Sequence, residues 1–233
     1  MLIKGLQKTT LIDYPGKIAC TIFLFGCNFR CSFCHNPDLV INDGGKIYGE
    51  SEVLEFLKNR VKYLDGVCIT GGEPLVCLDV DFVRKIKDMG YKIKIDTNGS
   101  FPEKLKLLID EGLVDYVAMD IKASREMYGV VVNSKVDLDK IEESIRIISD
   151  LENHEFRTTI LPGFHDENEI KRIMEWVKGL IGDNLGRYYL QGFKNHGKFV
   201  GEGFEMEKDV GEDYLDKLKG IVEGYFGDVG VRV

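Results

Sequence analysis

Three cysteines lie close together in the sequence, at Cys27, Cys31 and Cys34. Cysteine thiolates at short spacings are ligands for iron or zinc. Three thiolates can bind three irons of a cubane cluster that usually takes four, which leaves the last iron open to a substrate or cofactor. The spacing therefore predicts an iron–sulfur site with an open position.

A zinc site with the adjacent His35 as fourth ligand is the main alternative. Zinc sites usually pair cysteines as C-x2-C, with a second pair farther along the chain. The other three cysteines, Cys20, Cys68 and Cys77, are scattered. The spacing favours the cluster, and a zinc-stabilised binding module without catalysis remains open.

A buried strand has to position these cysteines. Residues 18–25 are apolar in both alternating positions, which predicts a strand covered on both faces. Gly26 ends this strand, so the cysteines follow its carboxyl end, where parallel α/β proteins bind ligands. Strand and helix patterns then alternate six times, which predicts a parallel sheet, as a partial (β/α)6 TIM-like barrel or an open sheet.

Glycines and polar residues follow the later predicted strands. Gly71 and Gly72 allow a ligand to approach the backbone, so a side chain at Gly72 is predicted to obstruct it, although a plain turn also explains both. Residues 96–99 are good turn formers as well. Asp120 and Lys122 share one face of their strand, as a binding pair or a structural ion pair.

Composition narrows the function classes. With 233 residues, 44% of them hydrophobic and 30% charged, the chain is predicted to form one domain over residues 1–233. A net charge of −8 argues against nucleic-acid binding. No apolar run is long enough for a membrane span, and no signal peptide is apparent. Six cysteines in such a chain predict reduced thiols and a cytoplasmic location.

The C-x3-C-x2-C spacing after the first predicted strand, with Phe33 before the last cysteine, resembles the radical S-adenosylmethionine (radical SAM) family. Cys34–Pro37 and Asp13–Gly16 are similar to its branch of glycyl-radical enzyme activating enzymes, and most similar to activators of anaerobic ribonucleoside-triphosphate reductase. The likeness runs from about Leu11 to about Asn195. It implies the partial barrel, a [4Fe-4S] cluster held by the three cysteines, and S-adenosylmethionine.

The resemblance also implies roles for the strand-end residues. Gly71, Gly72 and Glu73 match the motif for the methionine amino group, and Lys122 the contact to its carboxylate or the ribose. Further implied contacts are Arg157 and the Leu161 backbone near the adenine. Because an arginine in such an apolar strand needs a partner, a structural salt bridge remains the alternative for Arg157. Asp96 and Asp120 are implied to hold a monovalent cation. The complete set of implied cofactor contacts is Phe33, Gly71, Gly72, Glu73, Asp96, Asn98, Asp120, Lys122, Arg157 and Leu161.

The implied enzyme cleaves S-adenosylmethionine reductively and generates a glycyl radical on a partner protein, with flavodoxin or ferredoxin as electron donor. An enzyme of the same family that acts on a small molecule or another peptide remains an alternative. Asp-Tyr-Pro-Gly replaces the Asp-Gly-Pro-Gly of many relatives, and residues 191–198 depart from a His-x2-Gly-x2-Lys pattern. These departures leave the partner's identity open.

Overall fold

A computed structural model describes residues 1–41, 44–161, 163–182, 186–195 and 197–233. The chain divides into two compact units, one of residues 1–28, 36–97 and 103–117 and one of residues 29–35, 98–102 and 118–233. In chain order the strands and helices are β1 (Ile3–Thr10), β2 (Ala19–Leu24), α1 (Pro37–Val40), α2 (Glu50–Lys58), β3 (Gly66–Gly71), α3 (Val80–Asp88), β4 (Lys92–Thr97), α4 (Pro102–Asp110), β5 (Tyr116–Asp120), α5 (Tyr128–Val131), α6 (Leu138–Ser149), β6 (His154–Ile160), α7 (Glu167–Ile181), β7 (Arg187–Gly192), α8 (Glu212–Val222) and β8 (Asp228–Arg232).

The first unit is built on strands β1 to β4 and the start of β5. Strand β1 pairs with β2 in an antiparallel hairpin, whereas β2, β3 and β4 are parallel. The Asp115 amide donates to the Ile93 carbonyl at 2.8 Å and so brings the start of β5 beside β4. Most side chains of β2 and β3 are buried, as expected of strands that are covered on both faces.

The second unit contains the end of β5 and strands β6 to β8. The Ile121 amide donates to the Arg157 carbonyl at 2.7 Å, and β6, β7 and β8 pair in parallel. Helix α7 begins at a side-chain cap in which Asp166 accepts a hydrogen bond from the Glu169 amide at 2.7 Å. Helices α6, α7 and α8 each bury an apolar stripe, as their sequence periodicity predicts.

The predicted α/β fold with parallel strands is confirmed. Each strand from β2 to β7 is followed by at least one helix, which makes the six predicted strand–helix units, and β8 adds a further parallel strand. Arg157 lies in the middle of β6. The single-domain assignment stays a prediction. Residues 42 and 43 of a predicted turn, Pro162 after β6 and His196 in the segment 191–198 lie outside the described residues.

The Asp13–Gly16 motif lies at the amino ends of the strands of its unit. Tyr14 is buried, and its ring lies about 3.0 Å from where a Cβ on Gly66, the first residue of β3, would stand. Its ring centroid is 5.9 Å from that of Tyr116, and Asp13 accepts a hydrogen bond from Thr21 Oγ1 at 2.5 Å. Tyr14 therefore has a structural role in packing against Gly66 and Tyr116.

Within the described parts of the chain, no helix is both long and apolar enough to span a bilayer.

Candidate active site

In the first unit, the glycines at the end of β3 pack against the chain that leads to Cys27. Gly71 has a φ of +134°, and an added Cβ would lie 2.2 Å from the Leu24 carbonyl oxygen. A Cβ on Gly72 would lie 2.2 Å from the Gly26 carbonyl oxygen. A side chain at Gly72 would thus first meet the protein backbone. The sequence alone predicts that it would obstruct a ligand instead. Both glycines support the turn that starts the cysteine loop.

Glu73 is completely buried at 0% exposure, and its carboxylate is engaged inside its own unit. Its Oε1 accepts hydrogen bonds from the Leu75 amide at 3.1 Å and from Thr97 Oγ1 at 2.8 Å. Its amide donates to the Gly26 carbonyl at 2.7 Å. Glu73 therefore ties the ends of β3 and β4 to the start of the cysteine loop, and its contact to the methionine amine stays a prediction.

Strand β4 carries a buried ion pair that the sequence reasoning missed. Lys94 is only 2% exposed and forms an ion pair with Asp96, and its Nζ lies 3.9 Å from the Cys68 sulfur. The alternation of β4 contained the signal, because residues two apart share a face of the strand. Asp96 already has a cationic partner, so a monovalent cation would compete with Lys94 for it, and this role stays a prediction.

In the second unit, residues 29–35 carry the other two cysteines of the motif. The Cys34 amide donates to the Cys31 carbonyl at 3.0 Å, which closes a turn between them. The Val200 amide donates to the Cys34 carbonyl at 2.9 Å, so the segment after β7 runs along this turn. Burial raises the pKa of the Cys31 thiol to about 11, and the nearby Lys122 ammonium opposes this rise. A buried thiol of this kind binds metal as a thiolate.

Phe33 belongs to an aromatic cluster on the same turn. Its buried ring lies 6.5 Å, between centroids, from that of Phe204. Phe204 in turn packs against Phe193 and Phe199, at 6.4 Å and 6.2 Å. The cluster covers the cysteine turn with apolar surface.

Asp120, at the end of β5, binds two cationic side chains. Its carboxylate accepts hydrogen bonds from Lys122 Nζ at 2.9 Å and from Arg157 Nε at 2.8 Å. Burial alone would raise the pKa of Asp120, but Arg157 and Lys122 hold it well below its usual range. Burial alone would lower the pKa of Lys122, but the Asp120 carboxylate raises it above its usual range. All three groups are therefore charged at neutral pH.

This charge pairing continues to the last strand. Arg157 Nη1 lies 3.8 Å from Oε1 of Glu155, which is 1% exposed. Both terminal nitrogens of Arg232 donate to the Glu155 carboxylate, at 2.8 Å and 2.9 Å. The charge row Lys122, Asp120, Arg157, Glu155 and Arg232 thus alternates in sign. Glu155 and Arg232 were missed from the sequence. The ion-pair interpretation of Arg157 describes the structure, and its contact to the cofactor stays a prediction.

The remaining implied contacts are buried loop residues. Asn98 Oδ1 accepts a hydrogen bond from the Ser100 amide at 3.0 Å, as in a turn. The Leu161 carbonyl accepts from the Phe164 and His165 amides at 2.9 Å and 2.7 Å, and the Leu161 amide donates to His165 Nδ1 at 3.1 Å. Because the backbone groups of Leu161 are engaged, an adenine at this position would meet mainly its apolar surface.

A sequence profile of the radical SAM superfamily matches residues 21–177, more than half of the chain. This chain belongs to the radical SAM superfamily. The matched range contains the three-cysteine motif and the carboxyl ends of β2 to β6. The cofactors that the superfamily implies are a [4Fe-4S] cluster and S-adenosylmethionine.

Two relatives specify the branch of this radical SAM enzyme. It is 33% identical over 240 residues to a Methanocaldococcus jannaschii protein provisionally named a glycyl-radical enzyme activating enzyme, a match covering 99% of this chain and 95% of that protein. It is 26% identical over 248 residues to the pyruvate formate-lyase 1-activating enzyme of Escherichia coli, covering 96% of this chain and 95% of that enzyme. The predicted activating-enzyme branch is confirmed.

Solved structures share the fold of this radical SAM enzyme. Streptococcus suis SuiB bound to its precursor peptide SuiA superimposes with a TM-score of 0.68 at 12% identity, covering 91% of this chain and 48% of SuiB. The chain thus spans about half the length of SuiB. A domain of the Bacteroides vulgatus pyruvate-formate lyase-activating enzyme superimposes with a TM-score of 0.55 at 18% identity, covering 72% of this chain and 99% of that domain. Both likenesses agree with the predicted partial barrel.

The free cysteines of this radical SAM enzyme include the donors that an iron–sulfur cluster needs. All six cysteines are described, and none forms a disulfide. Three thiolates are the donors that such a cluster takes from the protein when its fourth iron is left open. A cubane binds each thiolate at a different iron, so its ligands do not need to meet at one point. The donor set therefore fits the iron–sulfur cluster.

Replacing Asp120 with Asn is expected to lower the free energy of unfolding by about 3 kcal/mol. The change leaves two largely buried cations, Lys122 and Arg157, without their common counter-charge, and losing one partner of a buried pair costs roughly 3–5 kcal/mol. Urea unfolding followed by circular dichroism measures the difference. Because folding lowers the pKa of Asp120, its ionised carboxylate stabilises the folded protein at any pH above the usual carboxyl range. This stabilisation is lost as the pH falls through the lowered pKa of the folded protein. The difference is therefore expected to persist at about pH 5.

Asp110→Asn is the matched control, because Asp110 and Lys106 form an exposed ion pair one turn apart on α4. Such pairs contribute less than about 0.5 kcal/mol. Equal losses of unfolding free energy in the two variants would contradict the role of Asp120 as the common counter-charge of Lys122 and Arg157.

Proposed function

We propose that this protein activates a glycyl-radical enzyme, with anaerobic ribonucleoside-triphosphate reductase as the partner. The observation that carries the proposal is the three-cysteine motif within a chain that matches activating enzymes over nearly its whole length. When bound, the cluster, once reduced by the external donor, would supply one electron to S-adenosylmethionine, whose carbon–sulfur bond would break to give methionine and a 5′-deoxyadenosyl radical able to take a hydrogen atom from a glycine Cα of the partner. The chain's residues bind, orient and shield these groups.

The proposed roles rest on the resemblance to the family, and position and charge support them. Three irons of the cluster are held by Cys27, Cys31 and Cys34. Phe33 covers the turn that carries the last two of these cysteines. Lys122 binds the carboxylate of the cofactor. The charge row defined above contains three cations and two carboxylates. Its net charge is positive, which suits a carboxylate ligand.

The choice of ribonucleotide reductase rests on the resemblance of residues 34–37 and of Asp13–Gly16. Tyr14 of the second motif packs at the amino ends of the strands and so has a structural role. This motif is therefore weaker support for the identity of the partner than residues 34–37. Pyruvate formate-lyase is a second candidate, because its Escherichia coli activating enzyme matches 96% of this chain. A flavodoxin or ferredoxin as donor and a cytoplasmic location complete the proposal.

The protein, reconstituted anaerobically with iron and sulfide, is expected to form 5′-deoxyadenosine from S-adenosylmethionine and dithionite. Liquid chromatography measures this product, and cluster-free protein is the control. Product no higher than in this control would reject the enzymatic proposal.

The same mixture is expected to produce a glycyl doublet in electron paramagnetic resonance when the organism's anaerobic ribonucleotide reductase is added. A parallel sample receives pyruvate formate-lyase instead. A doublet only in the second sample would transfer the proposal to that partner. 5′-Deoxyadenosine without a doublet in either would favour a small-molecule or other peptide substrate.

A further inference from the structure

His165 connects the two loops that carry Lys122 and Leu161. It lies between β6 and α7 and is completely buried. Its Nε2 is 2.8 Å from the Lys122 carbonyl oxygen, and its Nδ1 is 3.1 Å from the Leu161 amide nitrogen. One imidazole ring therefore bridges the backbone after β5 and the backbone after β6.

The two partners determine the protonation of the ring. A carbonyl oxygen only accepts, so Nε2 of His165 carries a proton and donates it to Lys122. An amide N–H only donates, so Nδ1 is unprotonated and accepts from Leu161. Burial lowers the pKa of His165, in agreement with a neutral ring. Only this neutral tautomer satisfies both loops.

Neighbouring contacts make the bridge rigid. The Glu169 carboxylate accepts from the Ser124 amide at 2.6 Å and from its hydroxyl at 3.0 Å, which fastens the loop after β5 to α7. The Tyr214 hydroxyl donates to the His165 carbonyl at 2.8 Å, which fastens the start of the bridge to α8. A support of this kind holds binding groups at a defined separation.

We propose that His165 is a positioning residue that sets the separation of the loops carrying Lys122 and Leu161. The inference rests on the proposed function, in which Lys122 contacts the methionine end of S-adenosylmethionine and Leu161 lies near its adenine. His165 acts through the two loops and not on the ligand. A ligand that reaches both loops binds best when their separation matches its length. Each loop is held by one hydrogen bond to His165, so losing either bond releases that loop and weakens binding at that end of the site.

Two substitutions separate the two hydrogen bonds. The amide of an asparagine reaches the place of Nδ1 and that of a glutamine the place of Nε2. His165→Asn therefore keeps the acceptor for Leu161 and loses the donor for Lys122, whereas His165→Gln does the reverse. In reconstituted protein, we expect His165→Asn to weaken L-methionine binding about tenfold and His165→Gln to weaken 5′-deoxyadenosine binding about tenfold, as measured by calorimetry. The other ligand is expected to bind unchanged in each case.

His154→Gln is the matched control. His154 is also buried in the second unit, but it lies at the start of β6, and its Nε2 has no hydrogen-bond partner in the part of the chain that the structure describes. Both ligands are expected to bind this variant as they bind the wild-type protein.

Equal weakening of both ligands by the Asn and Gln variants, or a lower melting temperature with unchanged affinities, would overturn the positioning role. Nitrogen-15 resonances of the ligand-free wild type test the bridge even where a variant does not fold: a charged ring, or one protonated at Nδ1, would overturn it. Wild-type protein that holds the cluster but binds neither ligand would overturn the proposed function, and this inference with it.

Discussion

Cys31→Ala is expected to lower the iron retained after anaerobic reconstitution by roughly tenfold or more, and to abolish 5′-deoxyadenosine formation. The proposed cluster has only three protein ligands, so each thiolate is needed to hold it. Cys31 is also the buried ligand of the turn closed by the Cys34 amide, and alanine offers no replacement donor. Iron content and the visible absorption spectrum measure retention, and Cys27→Ala and Cys34→Ala are expected to behave alike.

Cys20→Ala is the matched control for this experiment. Cys20 is fully buried in β2, and burial raises the pKa of its thiol to about 12, as expected of a core residue. This variant is expected to retain its iron, with at most a modest loss of stability from the missing sulfur. Full iron retention by Cys31→Ala, or equal loss in both variants, would contradict the assignment of the cluster to the three-cysteine motif.

Gly72→Ala is expected to lower the free energy of unfolding by about 3 kcal/mol and to reduce iron retention as well. The added methyl group would stand 2.2 Å from the Gly26 carbonyl oxygen and 3.0 Å from the Leu39 carbonyl oxygen. Both obstacles are backbone atoms, so the chain beside Cys27 has to shift. Thermal unfolding and iron content measure the two effects.

Gly179→Ala, in helix α7, controls for the general effect of adding a methyl group, since no atom lies within 4 Å of its Cβ position. Alanine there is expected to be neutral or slightly stabilising, because alanine favours helix more than glycine does. A Gly72→Ala protein that keeps its stability and its iron but binds S-adenosylmethionine weakly would restore the earlier expectation of a direct ligand contact.

Only some contacts of the charged residues could be predicted from the sequence. The alternation of side-chain direction along an extended chain was enough to predict that Asp120 and Lys122 point the same way, since that relation depends only on local geometry. The strand β5 itself ends at Asp120. Their third partner, Arg157, was recognised as an arginine in need of a counter-charge. The identity of that counter-charge depended on which strands are neighbours, and only the fold showed that it is shared between Asp120 and Glu155.

The sequence by itself determined the family, the alternating α/β architecture and the cysteine motif, because each depends on residues that are close along the chain. The tertiary structure decided which polar groups meet. Arg232 pairs with Glu155 across 77 positions, and His165 bridges to Lys122 across 43. Such distant groups have no local signal of pairing. Their charge or hydrogen-bonding need is met only when the order of the parallel strands brings them together, and burial then makes each partner necessary.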